Sequence, residues 1–147
     1  MEKEIRSIGE LEAEAARFVE RLKPREERAT LVTLSGELGA GKTAFTKAVA
    51  KALEIEEEVT SPTFVLEKIY QLRCPTPKFA RLVHIDAYRL ASGADLAALG
   101  FTELMRDPSI LILLEWPERV ADVLPKPAVR IVLAARGDGV HAITYDK

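Results

Sequence analysis

Apolar positions follow two rhythms along this chain, and their alternation lays out the expected elements. Leu11, Ala15, Phe18, Val19 and Leu22 recur at three- and four-residue intervals, the spacing of one helix face. Ser7-Ile8-Gly9-Glu10 ahead of them is a capping box, and Lys23-Pro24 is a stop. Ala29 to Leu34 is a short β-rich run that predicts a buried strand, and from Lys42 to Leu53 helical spacing returns through Phe45, Ala48, Val49 and Leu53. Phe64 to Tyr70 and Phe79 to Ile85 predict two strands joined as a hairpin across Pro75-Thr76-Pro77. Ala94 to Leu99 reads as a short helix closed by Gly100, with a further turn around Thr102–Met105. The unbroken run Ile110 to Leu114 predicts a central strand covered on both faces, and Pro117 stands where a helix can start. Val129 to Ala134 and Val140 to Tyr145 flank Arg136-Gly137-Asp138-Gly139 as a second hairpin.

The strand and helix that flank residues 36–43 enclose Gly-Glu-Leu-Gly-Ala-Gly-Lys-Thr, a complete Gly-x-x-x-x-Gly-Lys-Thr loop. Strand, loop and helix in this order are the context such a phosphate-binding motif needs. Gly36, Gly39 and Gly41 let successive N–H groups turn inward as an anion nest, and the helix adds its positive N-terminal end. Glu37, Leu38, Gly39, Ala40, Gly41, Lys42 and Thr43 are the expected nucleotide contacts. Lys42 is to reach the β- and γ-phosphates, and Thr43 to offer its hydroxyl to Mg²⁺. The expected architecture is α/β, a P-loop NTPase-like three-layer fold with a mainly parallel central sheet and antiparallel hairpin strands. Nucleotide is expected at the carboxyl ends of the strands.

Such a site needs acids at strand ends to hold the metal and orient water. Glu115 closes the run Ile110 to Leu114, and Asp86 closes Leu82-Val83-His84-Ile85. A carboxylate at the end of a buried strand is costly unless it is paired or metal-bound. Lys42, Asp86 and Glu115 are therefore the candidate catalytic residues, and Thr43 with either Asp86 or Glu115 the candidate metal ligands. Trp116, directly after Glu115, and Glu118 are further candidate ATP contacts, with a core or interface aromatic as the plain alternative for Trp116. His84 alternates with Val83 and Ile85 and reads as packed or solvent-facing rather than catalytic. Thr60-Ser61-Pro62-Thr63 lies where GTPases carry a switch segment, although these are also ordinary loop residues.

Composition narrows the partners. The 147 residues fit one domain, and 48% hydrophobic with 30% charged residues are globular values. A formal net charge of −2 provides no overall basic field for nucleic acid. A lone cysteine, Cys74, forms no internal disulfide. The start of the chain does not read as a signal peptide and no apolar run approaches membrane-spanning length, so the expected compartment is the cytoplasm.

Gly36–Thr43, Ser61-Pro62-Thr63-Phe64, His84-Ile85-Asp86-Ala87-Tyr88-Arg89-Leu90, Gly100-Phe101 and Leu114-Glu115-Trp116-Pro117-Glu118, in this order, resemble the bacterial TsaE (YjeE) family. The likeness spans about Ser7 to Tyr145. It implies an ATPase of tRNA threonylcarbamoyladenosine (t6A) biosynthesis that hydrolyses ATP slowly, with Mg²⁺ coordinated through Thr43 and Glu115. It also implies action on the TsaB and TsaD partners, with tRNA reached only through that complex. The chain departs from the family at two places. Val140 stands where relatives often carry an arginine near the nucleotide, with Arg136 as a candidate replacement, and Glu12 to Ala16 replaces a Thr-x-x-Leu-Gly pattern. Two rivals share the loop: a small-molecule kinase, for which no arginine-rich lid is found between Leu90 and Ile110, and a nucleotide-gated binding module with negligible hydrolysis. A regulatory GTPase would need an Asn-Lys-x-Asp segment, which the chain lacks.

Overall fold

Seven strands form one sheet in a computed structural model that describes residues 2–37, 39–55, 67–72 and 78–146. In chain order the elements are β1 (Glu2–Ile5), α1 (Ile8–Arg21), β2 (Thr30–Ser35), α2 (Lys42–Ala52), β3 (Glu67–Gln71), β4 (Arg81–Asp86), α3 (Gly93–Ala98), α4 (Phe101–Met105), β5 (Ile110–Glu115), a 3-10 turn (Pro117–Val120), β6 (Val129–Gly137) and β7 (Val140–Asp146). The spatial order is β1-β7-β6-β2-β5-β4-β3. The four inner strands β6, β2, β5 and β4 run parallel, while β7 and β3 are the antiparallel arms of the two expected hairpins. This is the three-layer α/β arrangement that the alternating patterns predicted.

The register assigns each strand residue to a face. Val32, Leu34, Leu82, Leu111, Leu113, Ile131 and Leu133 join Phe18, Phe45 and Val49 of α1 and α2 in one core. Leu31, Val83, Ile85, Ile110, Ile112 and Leu114 join Leu96 of α3 and Phe101 of α4 in the other. β5 is buried along its whole length because both layers press on it, which is why its sequence shows no polar alternation.

Local chemistry sets the ends. Ser7 Oγ accepts from the N–H of Glu10 at 3.1 Å, as a capping residue should. The second hairpin closes on Asp138-Gly139, both at positive φ (53° and 75°), the backbone of a two-residue turn that follows the strand twist. Three features were not anticipated. β1 pairs antiparallel with β7, four residues too few to show a period. The turn expected at Thr102–Met105 is a short α-helix from Phe101. Glu14, on the core side of α1, is fully buried.

Glu14 is tolerated there because its lone pairs are occupied. Tyr145 donates to Oε2 at 2.6 Å, and Lys3 and Arg17 donate to Oε1 at 3.2 and 2.9 Å. Burial pushes its carboxyl up, but the hydrogen bonds from Tyr145, Arg17 and Lys3 outweigh burial and hold it below the usual range. A lowered carboxyl stabilises the fold above its unfolded value and loses that contribution as pH falls through the folded one. Tyr145→Phe is therefore expected to cost about 1–3 kcal/mol at pH near 7. The gap from wild type should narrow below about pH 4; urea unfolding at the two pH values measures it.

Candidate functional site

Three strand ends and one helix start converge at the carboxyl edge of the parallel sheet. β2 delivers Ser35 into the glycine-rich loop, β4 ends at Asp86 and β5 at Glu115. Asp86 and Glu115 are register partners, and Leu34 lies beside Glu115 on the same rung. Both acids therefore project to the face that α2 covers.

The loop itself is shaped by close approach. At Gly36, φ is 148° and an added Cβ would lie 2.4 Å from the carbonyl oxygen of Leu133. The neighbouring strand by itself therefore requires glycine at this position. Gly41 caps α2 in the left-handed region, no side chain caps the helix, and no acid stands in its first turn. No side chain of α2 itself offsets the positive end of the helix.

Lys42 is buried and folded back across this loop. Its ammonium donates to the carbonyls of Gly36 and Glu37, the latter at 3.0 Å, and lies 4.3 Å from the centroid of Trp116. Burial pulls its pKa down, while Glu115, Asp86 and Glu118 oppose that shift. Burial pushes the Asp86 carboxyl up and Glu115 adds to it; the Tyr88 N–H, bonded at 3.0 Å, together with His84 and Lys42, pulls the other way without cancelling the rise.

The structure brings together most of the residues singled out in the sequence. Glu37, Gly39, Ala40 and Gly41 form the loop, Thr43 sits in the first turn of α2, and Glu118 lies exposed on the 3-10 turn. Trp116 adopts a left-handed backbone (φ 60°, ψ 53°) between β5 and that turn. This unusual geometry for a bulky residue turns its ring toward Lys42. Tyr88 packs tilted against Trp116, at 5.0 Å between centroids and 54° between ring planes, and the Arg119 guanidinium lies 5.3 Å from the Tyr88 ring. Leu38, Thr60 to Thr63 and Cys74 fall outside the described residues. Arg136 is engaged elsewhere, in an ion pair with Glu2 at 2.8 Å.

Two histidines carry more of the site than their sequence context suggested. His84 is fully buried and its Nε2 is bonded to Oε2 of Glu115. His141 donates from Nδ1 to the carbonyl of Ala40 at 3.1 Å, tying β7 to the loop. Beside that tie is a cavity of about 280 Å³ lined by Ile8, Leu11, Ala40, Ala44, Leu133 and His141, among others.

With this geometry established, comparison with known proteins is decisive. The family model for "Threonylcarbamoyl adenosine biosynthesis protein TsaE" matches residues 7–142. The chain belongs to the TsaE family. Within the family, it is 42% identical over 118 residues to the tRNA threonylcarbamoyladenosine biosynthesis protein TsaE of Treponema pallidum, covering 80% of this chain and 82% of that one. It is 36% identical over 115 residues to the Bacillus subtilis TsaE, covering 78% and 68%. The crystal structure of Bacillus subtilis YdiB superposes with a TM-score of 0.75 at 30% identity, over 99% of this chain and 83% of the other. The chain is thus a member of a family of t6A biosynthesis, and the resemblance read from its motifs holds. No helix among the described residues is long and apolar enough to cross a membrane.

Proposed function

We propose that this chain binds ATP with Mg²⁺ and hydrolyses it slowly as the nucleotide-dependent subunit of the t6A machinery, acting on TsaB and TsaD in the cytoplasm. One observation carries the reading: an uncapped helix N-terminus and a buried lysine face two register-paired acids at the carboxyl edge of the sheet. Loop N–H groups and Lys42 supply positive potential for the β- and γ-phosphates, and a phosphate arriving there replaces the carbonyls that Lys42 now holds. The cleft between the start of α1, the loop and His141 is the seat that supports the base, since it is apolar and adjoins Gly41.

The donor set suits a metal that arrives with its substrate. Among the described residues no group of three or more His, Cys, Asp or Glu side chains is arranged to hold an ion. Mg²⁺ typically uses one or two carboxylates together with phosphates and water. Thr43 and Glu115 are the residues that would hold it, with Asp86 beside Glu115 to align the attacking water. Bound there, Mg²⁺ would supply neutralising charge to the phosphate oxygens.

The test is a calorimetric titration of the protein with ATP and with GTP, each with and without Mg²⁺, while Trp116 emission is followed. ATP with Mg²⁺ is expected to give heat and to change the emission as Lys42 leaves the ring, and GTP to bind more weakly. Absence of heat with ATP overturns the reading. Single-turnover hydrolysis with and without TsaB and TsaD separates a slow ATPase from a nucleotide-gated binding module.

A further inference from the structure

We propose that His84 is a positioning residue of the acid pair: its Nε2–H holds Oε2 of Glu115 so that the other carboxylate oxygen stays available to the cation that accompanies phosphate. The inference rests on the nucleotide reading above.

The ring occupies a place where packing alone favours a hydrocarbon. His84 shares its rung with Leu113 and Val32, all three fully buried. Nδ1 is buried with no hydrogen-bond partner among the described residues, a cost that a leucine at this position would avoid. What the imidazole provides in return is its other nitrogen. His84 lies two rungs below Glu115, on the same face of the neighbouring strand, and its Nε2 takes Oε2 of that carboxylate, while no hydrogen bond to Oε1 is found among the described residues. Glu115 is itself 3% exposed, so the rotation of its carboxylate is governed by neighbours rather than by water. A hydrogen bond from one side of a ligating carboxylate is the usual way a protein orients it. Lys68, which faces His84 from β3, is directed to the ring of Tyr70 instead, and leaves this task to the histidine.

The experiment compares full-length wild type with His84→Leu, His84→Asn and His84→Gln. Glutamine keeps a donor near the Nε2 position; asparagine keeps the amide but is too short to reach Glu115. ADP affinity is measured in EDTA, and Mg²⁺ is then titrated into each ADP complex. The leucine and asparagine variants are expected to require about tenfold more Mg²⁺. The glutamine variant should be close to wild type, and ADP affinity in EDTA the same in all four. Folded leucine and asparagine variants with the wild-type Mg²⁺ midpoint overturn the proposal. So does a loss of ADP affinity in EDTA that parallels the loss of Mg²⁺ response, which would mark a merely structural role. If neither variant folds, wild type decides by ¹⁵N-edited NMR: the Nε2 proton of His84 must exchange slowly and shift when Mg²⁺ joins the ADP complex, and an unmoved resonance overturns the proposal. A wild type with no Mg²⁺ response at all refutes the nucleotide reading itself, whereas a responsive wild type whose leucine and asparagine variants share its Mg²⁺ midpoint refutes only the role of His84.

Discussion

Lys42→Ala is expected to fold and to bind ATP about 10- to 100-fold more weakly, the worth of a charge-assisted hydrogen bond of about 1.5–3 kcal/mol. Hydrolysis is expected to fall further, by about 10²–10³, because the ammonium opposes charge that develops in the transition state. The ammonium is already out of water in the free protein, held by the carbonyls of Gly36 and Glu37 and the face of Trp116. On the proposed reading its desolvation is therefore not a further cost of binding, although a phosphate must displace those carbonyls. Calorimetry with ATP and single-turnover hydrolysis measure the two losses. A well-folded variant with wild-type affinity and rate would remove Lys42 from the site.

Asp86→Asn is expected to separate stability from activity. Burial, and secondarily Glu115, raises the Asp86 carboxyl above the ordinary aspartate range. A raised acid contributes stability that is complete below its unfolded value, about 3.9, and that is lost as pH climbs through the folded value. At neutral pH the ionised group is thus a liability in the free protein, next to Glu115 in register. The asparagine variant should melt above wild type near pH 7, and the gap should close as pH falls toward about 4. Its hydrolysis should drop about 10²-fold, since a neutral amide neither accepts a proton from water nor attracts the cation as a carboxylate does. Thermal melts across the pH range and single-turnover rates test both halves. A variant that is less stable at neutral pH and undiminished in rate would make Asp86 a structural acid.

Much of this was legible along the chain. The three-layer class, both hairpins, the doubly buried strand and the strand–loop–helix around Gly36–Thr43 follow from local rules, since turn residues, helix caps and apolar period act over a few neighbours. The strand-end acids were visible for the same reason: Asp86 and Glu115 each terminate an apolar run. What escaped was contact between distant segments. β1 is too short to show a period and exists because β7 pairs with it. Glu14 gave no sign of its burial, because Tyr145, which satisfies it, lies 131 residues away.

The same division runs through the site. Residue type and spacing determined that a glycine nest, a lysine and a hydroxyl would stand together at a helix start, for those groups are consecutive and the backbone delivers them as a unit. Only tertiary structure decided that Asp86 and Glu115 share a rung, that Leu133 is what makes a glycine necessary at Gly36, and that His84 turns its ring to Glu115. These depend on the order and register in which β4, β5, β2 and β6 pair. That order arises from burying two apolar faces at once, and no local stretch of chain encodes it.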